Sequence, residues 1–137
     1  MPSLNHAIAQ ANLIGEFSRN RVYRVASELN LELGGKPYTP DLSIYLRKQP
    51  DFHHDIVRVA EPPVLVVEIL SPTQGYQSVI DKVDAYLQNG VKSCWVVSPP
   101  LRLITIFSPD GTQQTVQEGT AKDPATGLTA DLAAVFS

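Results

Sequence analysis

Cysteine is almost missing from this chain of 137 residues: Cys94 stands alone. An internal disulfide is excluded, and so is a cysteine-built zinc cluster. Excess basic charge is missing too. Eleven Lys and Arg face 14 Asp and Glu, for a net charge of -3 with histidines neutral. A basic coat for tight, non-specific duplex binding is therefore not expected, which leaves room only for a local basic groove. No apolar run approaches membrane-spanning length, and the opening MPSLNHAIAQ lacks the basic-then-apolar build of a signal peptide. Repeats, low-complexity tracts, a dividing linker, a zinc finger and a glycine-rich nucleotide loop are likewise not found. What is present is a balance of 43% hydrophobic and 18% charged residues. That balance belongs to a folded chain, and it points to one domain over residues 1–137 in a reducing cytoplasm, with no membrane partner.

Periodicity predicts the elements. Ser3 caps a helix running to about Ser18, with Ala9, Leu13, Ile14 and Phe17 on one face. Arg21 to Leu33 alternates like a strand, Gly34-Gly35-Lys36-Pro37 turns, and Leu42 to Leu46 is a second strand. Arg47 to Glu61 is polar and reads as a loop. Val64 to Leu70 is nearly continuous in apolar residues, the mark of a central strand covered on both faces. A helix from about Tyr76 to Asn89 follows, stopped by Gly90, with Val79, Ile80, Val83, Tyr86 and Leu87 inward. Strands over Ser93 to Val97 and Leu101 to Phe107, an edge strand over Thr112 to Glu118 and a short helix over Ala130 to Phe136 complete the chain. The order implies an α/β fold with one mixed sheet and helices on it.

One carboxylate, Glu68, lies inside the most apolar strand, PPVLVVEILSP. A buried carboxylate needs a metal, a cation, hydrogen bonds or a proton. Asp41 opens another strand just after Pro40. Two acidic groups on neighbouring strands would converge on one divalent ion, and their hard oxygens suit magnesium or manganese. Lys82 lies one helical turn from Tyr86 on the same side and would reach toward Glu68. Each residue also has a plain structural reading: Asp41 bonding the turn before its strand, Glu68 in an ion pair, Lys82 solvated on its helix.

Pro40-Asp41, then Glu68-Ile69-Leu70-Ser71-Pro72, Lys82 with Tyr86, Gly90-Val91 and Trp95-Val96-Val97 together resemble the Uma2 family. This family, also known as DUF820, is grouped with the restriction endonucleases, is common in cyanobacteria and belongs to the PD-(D/E)XK nuclease superfamily. The resemblance runs from about His6 to Phe136. It implies a restriction-endonuclease-like mixed sheet flanked by helices and a metal-dependent hydrolase acting on DNA. The metal would be Mg2+, with Mn2+ as a substitute. Asp41, Glu68 and the Ile69 backbone carbonyl would be its ligands. The superfamily's strand lysine falls on Leu70 here, and Lys82 from the following helix would replace it, orienting water or stabilising charge. The leaving group would be the 3' oxygen. His6, Glu28 and Tyr86 are the further positions for supporting or substrate contacts. His53 and His54, adjacent in the loop, lack other ligands for a shared metal.

The chain also departs from the family pattern. The strand region usual before the first helix is not seen in the sequence, as though it were shortened. Ser78 replaces a frequent aspartate. Ser93-Cys94-Trp95 and Ser98-Pro99 stand where Glu-Tyr-Trp and Asp-Pro are usual. These changes spare the proposed metal core, but the missing start, the negative charge and the absence of a separate DNA-recognition module support an opposed reading, a catalytically silent relative serving as a nucleic-acid-binding or assembly module. The superfamily habit of cutting two strands with two copies predicts a homodimer. The choice between DNA and RNA and the target sequence are not legible.

Overall fold

The computed structural model describes residues 2–137. Helix α1, Leu4–Phe17, begins as its sequence predicts: the Ser3 hydroxyl accepts the His6 amide at 3.2 Å. Ala9, Leu13 and Phe17 are buried on its inner face. There follow β1 Tyr23–Ser27, β2 Leu31–Leu33, β3 Lys36–Tyr38, β4 Leu42–Leu46 and β5 Leu65–Ile69. Helix α2 spans Tyr76–Gln88 and leads to β6 Ser93–Ser98, β7 Leu103–Phe107 and β8 Gln113–Val116. A hairpin of β9 Thr120–Lys122 and β10 Thr129–Asp131 precedes α3, Leu132–Val135.

Six strands form one sheet in the order β1-β4-β5-β6-β7-β8. Only the β5–β6 pair within it is parallel. Helix α2 supplies the crossover that a parallel pair requires. The architecture is thus a mixed sheet flanked by helices, as expected. One face packs Leu65, Val67, Ile69, Trp95 and Val97 against α1, α3 and the β9–β10 hairpin. The Phe17 and Trp95 rings meet edge to face there, 5.1 Å apart. The other face packs Val66, Cys94 and Val96 against Val79, Val83 and Tyr86 of α2 and against β2. Both faces of β5 are therefore covered, which explains its continuous apolar run.

Three local expectations need correction. Arg21 to Leu33 is not one strand. It breaks at Glu28, which takes the left-handed region (φ 52°) and gives its amide to the Asp41 carbonyl at 3.0 Å. The turn after it is Gly34-Gly35 alone, both glycines having positive φ, while Lys36 and Pro37 already lie in β3. The positive φ of both central residues suits the tight two-residue hairpin turn. The last helix is shorter than expected because Thr129 to Asp131 pair with Thr120 to Lys122 instead. That hairpin is anchored by Asp123, fully buried, whose carboxylate accepts from the Ser93 hydroxyl and from Trp95 Nε1 at 3.0 Å. It also accepts the Thr126 amide and hydroxyl, each at 2.8 Å. Three-residue strands carry too little periodicity to be seen in sequence. Among the described residues, no helix is long and apolar enough to cross a membrane.

Candidate active site

The candidate site forms at the end of β5, where β4 and β5 part. Leu42 lies opposite Val67 in their antiparallel register. One further step along that register brings Asp41 beside Glu68. Pro40 turns the chain away at this point. The Ile69 amide, left without a strand partner on this side, donates to Asp41 Oδ2 at 2.7 Å. The Asp41 side chain so extends the sheet by one bond.

Asp41 is held from several directions. His6 Nε2 lies 3.0 Å from Oδ1, a contact that places a proton on Nε2. Gln10 Nε2 donates to the Asp41 carbonyl at 3.3 Å, beside the Glu28 amide bond. His6 and Gln10 are both buried, one turn apart on the inner face of α1. His6 was a candidate on sequence grounds. Gln10 was not, although two polar residues spaced i, i+4 on an apolar helix face were a signal for it. His6 Nδ1 is buried without a hydrogen-bond partner among the described residues. Glu28 belongs to a turn rather than a strand, and its exposed side chain leaves the amide as its contribution.

Glu68 is 4% exposed and, by strand alternation, faces α2. The Tyr86 hydroxyl donates to its Oε2 at 3.4 Å. Burial first, then the neighbouring Asp41 charge, push the Glu68 carboxyl up to about 7, while the Lys82 charge and the Tyr86 bond oppose the rise. Burial and then the Glu68 charge raise the Tyr86 phenol and the Cys94 thiol above their ordinary values. Lys82 is half-buried on α2, and no carboxylate among the described residues lies within ion-pair distance of it. Leu70 packs partly buried against the α2 side of the sheet.

Asp41 and Glu68 thus come together, with His6 and Tyr86 touching the two carboxylates and the Lys82 charge acting on Glu68 from beyond ion-pair distance. The oxygens available to a cation are those of Asp41 and Glu68 and nearby backbone carbonyls. Among the described residues, no group of three or more His, Cys, Asp or Glu is arranged to hold a metal ion. His53 and His54 lie away from this cluster, in the exposed loop, where His54 Nδ1 contacts Asp51 at 3.0 Å. A cleft of about 420 Å³ lies between Ser3 to Asn5 and the segments Leu70 to Pro72 and Pro99-Pro100, and neither Asp41, Glu68 nor Lys82 lines it.

The chain matches the Uma2 family, described as "Putative restriction endonuclease", over residues 1–134. It is similar to a solved structure from Anabaena variabilis ATCC 29413, described as "a putative nuclease belonging to DUF820". The TM-score is 0.82 at 22% identity, covering 99% of this chain and 82% of that one. At that identity the likeness is one of fold. No curated protein matches the chain. With a family match that leaves out only the last three residues, the chain belongs to the Uma2 family.

Proposed function

We propose that this protein is a divalent-metal-dependent endonuclease hydrolysing DNA phosphodiester bonds, with its site at the end of β5. The observation carrying this reading is the pair of carboxylates Asp41 and Glu68 at adjacent register positions, with Glu68 pushed up to about 7 by burial and by Asp41. Such a pair favours a divalent cation, whose charge removes the repulsion between them. Two carboxylates fall short of a three-residue cluster, but magnesium is commonly held by one or two carboxylates, with oxygens from water or backbone completing its shell. Asp41, Glu68 and the Ile69 carbonyl would hold it, or manganese in its place. Held there, such an ion would supply Lewis-acid polarisation of the scissile phosphate and would ease ionisation of the attacking water.

The protein's own groups do the positioning. His6, Gln10 and the amides of Glu28 and Ile69 fix Asp41. Tyr86 steadies Glu68. Lys82, on the α2 side with Glu68, orients water and stabilises charge growing on the phosphate. The 3' oxygen leaves, giving a 5' phosphate. The protein works as a cytoplasmic homodimer in this reading, and light scattering that reports a monomer at micromolar concentration overturns the dimer.

A second reading has its own support. Both Asp41 carboxylate oxygens already contact protein groups, and Leu70 replaces the strand lysine. A catalytically silent binding or assembly module fits those facts. Cleavage of supercoiled plasmid and of single-stranded DNA, with magnesium, manganese or chelator, separates the two. The nuclease reading expects metal-dependent cutting that Glu68→Ala abolishes. No cutting, with no metal heat in calorimetry, leaves the silent module.

A further inference from the structure

The chain is acidic overall, with a net charge of -3, yet four of its cations gather at one end of the sheet. Tyr23 of β1 pairs with Leu46 of β4, and the Arg47 amide continues the ladder to the Val22 carbonyl at 2.9 Å. That register sets Arg21 across from Lys48 and Arg24 across from Tyr45. Arg47 Nε donates to the Arg21 carbonyl at 3.0 Å, and Arg24 Nη2 to the Lys48 carbonyl at 3.3 Å. The guanidinium groups are thus tied to each other's strands rather than dispersed.

Among the described residues, no carboxylate lies within ion-pair distance of them. Among the described residues, the ion pairs of the other arginines are Arg19 with Glu16 and Arg58 with Glu32, and none involves Arg21, Arg24, Arg47 or Lys48. The Glu61 carbonyl accepts the Tyr45 hydroxyl at 2.8 Å, and the Glu61 charge acts on that phenol. Arg24 Nε is buried without a hydrogen-bond partner among the described residues. Desolvation, then the charges of Arg21 and Arg24, lower the Arg47 pKa from its usual value. A cluster of cations that repel one another and have no carboxylate partner is suited to an external anion.

Its orientation says which anion. Tyr23 and Val25 pack into the α1 layer, so Arg24 points to the opposite face, the one Glu68 occupies. Tyr45 and Arg47 share that face by alternation along β4. At about 3.4 Å per residue, Arg24 and Arg47 lie roughly 14 and 20 Å from Asp41 along β4. At about 3.4 Å of axial rise per base pair, these positions are about four and six base pairs along a duplex from a phosphate at the carboxylates.

We infer that Arg24 and Arg47 form a phosphate-binding surface that holds the DNA backbone several base pairs from the point of cleavage. The inference rests on the nuclease reading of the Asp41–Glu68 site and adds to it the path of the substrate. The surface supplies alignment and affinity without touching the reacting phosphate.

The test is fluorescence anisotropy of a short fluorescein-labelled duplex in chelator, where binding is read without cutting, at about 50 to 200 mM KCl. The native protein is compared with Arg24→Gln/Arg47→Gln and with Arg24→Glu/Arg47→Glu, each checked for an unchanged thermal melt. If Arg24→Gln/Arg47→Gln unfolds, Arg47→Gln alone, at an exposed position, replaces it. The expected result is at least about tenfold weaker binding for the double glutamine variant and a still larger drop for the double glutamate. The slope of log affinity against log salt falls by about 2, close to 0.9 for each phosphate no longer neutralised. Unchanged affinity and slope overturn the inference, whether or not the protein cuts DNA. Binding that depends on the arginines, in a protein without metal-dependent cleavage, upholds the surface and rejects only the nuclease reading. Arginine-dependent binding to phosphatidylserine vesicles, with duplex binding unaffected, overturns the assignment to DNA.

Discussion

Glu68→Gln is expected to make the protein more stable at mildly alkaline pH, although it alters the centre of the candidate site. In the native state Glu68 keeps its proton to about pH 7, while its ordinary value is 4.5. Between those values the native state binds a proton that the unfolded chain has released, so unfolding stability falls as pH rises. The contribution is complete below about 4.5 and gone above about 7. Each pH unit of such a difference is worth about 1.4 kcal/mol, so the whole effect is about 3 kcal/mol. Glutamine mimics the protonated carboxyl and does not titrate. At about pH 8 the variant should therefore exceed the native protein by about 3 kcal/mol, and at about pH 4 the two should agree within about 1 kcal/mol. Urea unfolding followed by fluorescence reads this cleanly, because Trp95 is the only tryptophan and is fully buried. A gap of the same size at both pH values would refute the argument from burial and like-charge repulsion. Magnesium adds a second reading: at 100 times its dissociation constant it should stabilise the native protein at pH 8 by about 2.7 kcal/mol and the variant much less.

Tyr86→Phe removes a donor that holds the Glu68 carboxyl down, so the fall in stability should shift to higher pH, at a cost of about 1 kcal/mol near neutrality; urea titrations at several pH values check it. Asp123→Ala strands the buried donors of Ser93, Trp95 and Thr126, and a loss of about 3 kcal/mol or more is expected in thermal or urea unfolding, with metal-free DNA binding intact in whatever folds. Lys82→Met should lower cleavage by about a hundredfold or more with calorimetric metal affinity kept. Leu70→Lys on that background should recover part of the rate, since the strand position faces the α2 side that Glu68 also faces. Equal cleavage by native protein and Lys82→Met would remove Lys82 from the mechanism.

Much of this arrangement is written locally. Helix α1 follows from Ser3 and the 3–4 spacing of Ala9, Leu13 and Phe17; α2 ends where Gly90, with φ of 99°, permits a stop. The covered strand β5 is visible because both of its faces meet apolar layers, so no alternation breaks the run. Glu68 was conspicuous for the same reason, as a charge within that run. Hydrophobic period and turn chemistry act over a few residues, and those features need nothing more. Strand pairing acts at long range. Asp41 meets Glu68 because β4 and β5 are antiparallel in a particular register, and no short window of sequence encodes that register. The pairing of β1 with β4 likewise brings the Glu28 amide to the Asp41 carbonyl, breaks the apparent long strand at Glu28 and sets Arg24 and Arg47 on one face of an acidic chain. The acidity of Glu68 is the clearest case. Its residue type sets the ordinary value of 4.5, whereas burial beneath α2 and the approach of Asp41 raise it to about 7. Both causes are distances through space, and they exist only once the chain has folded.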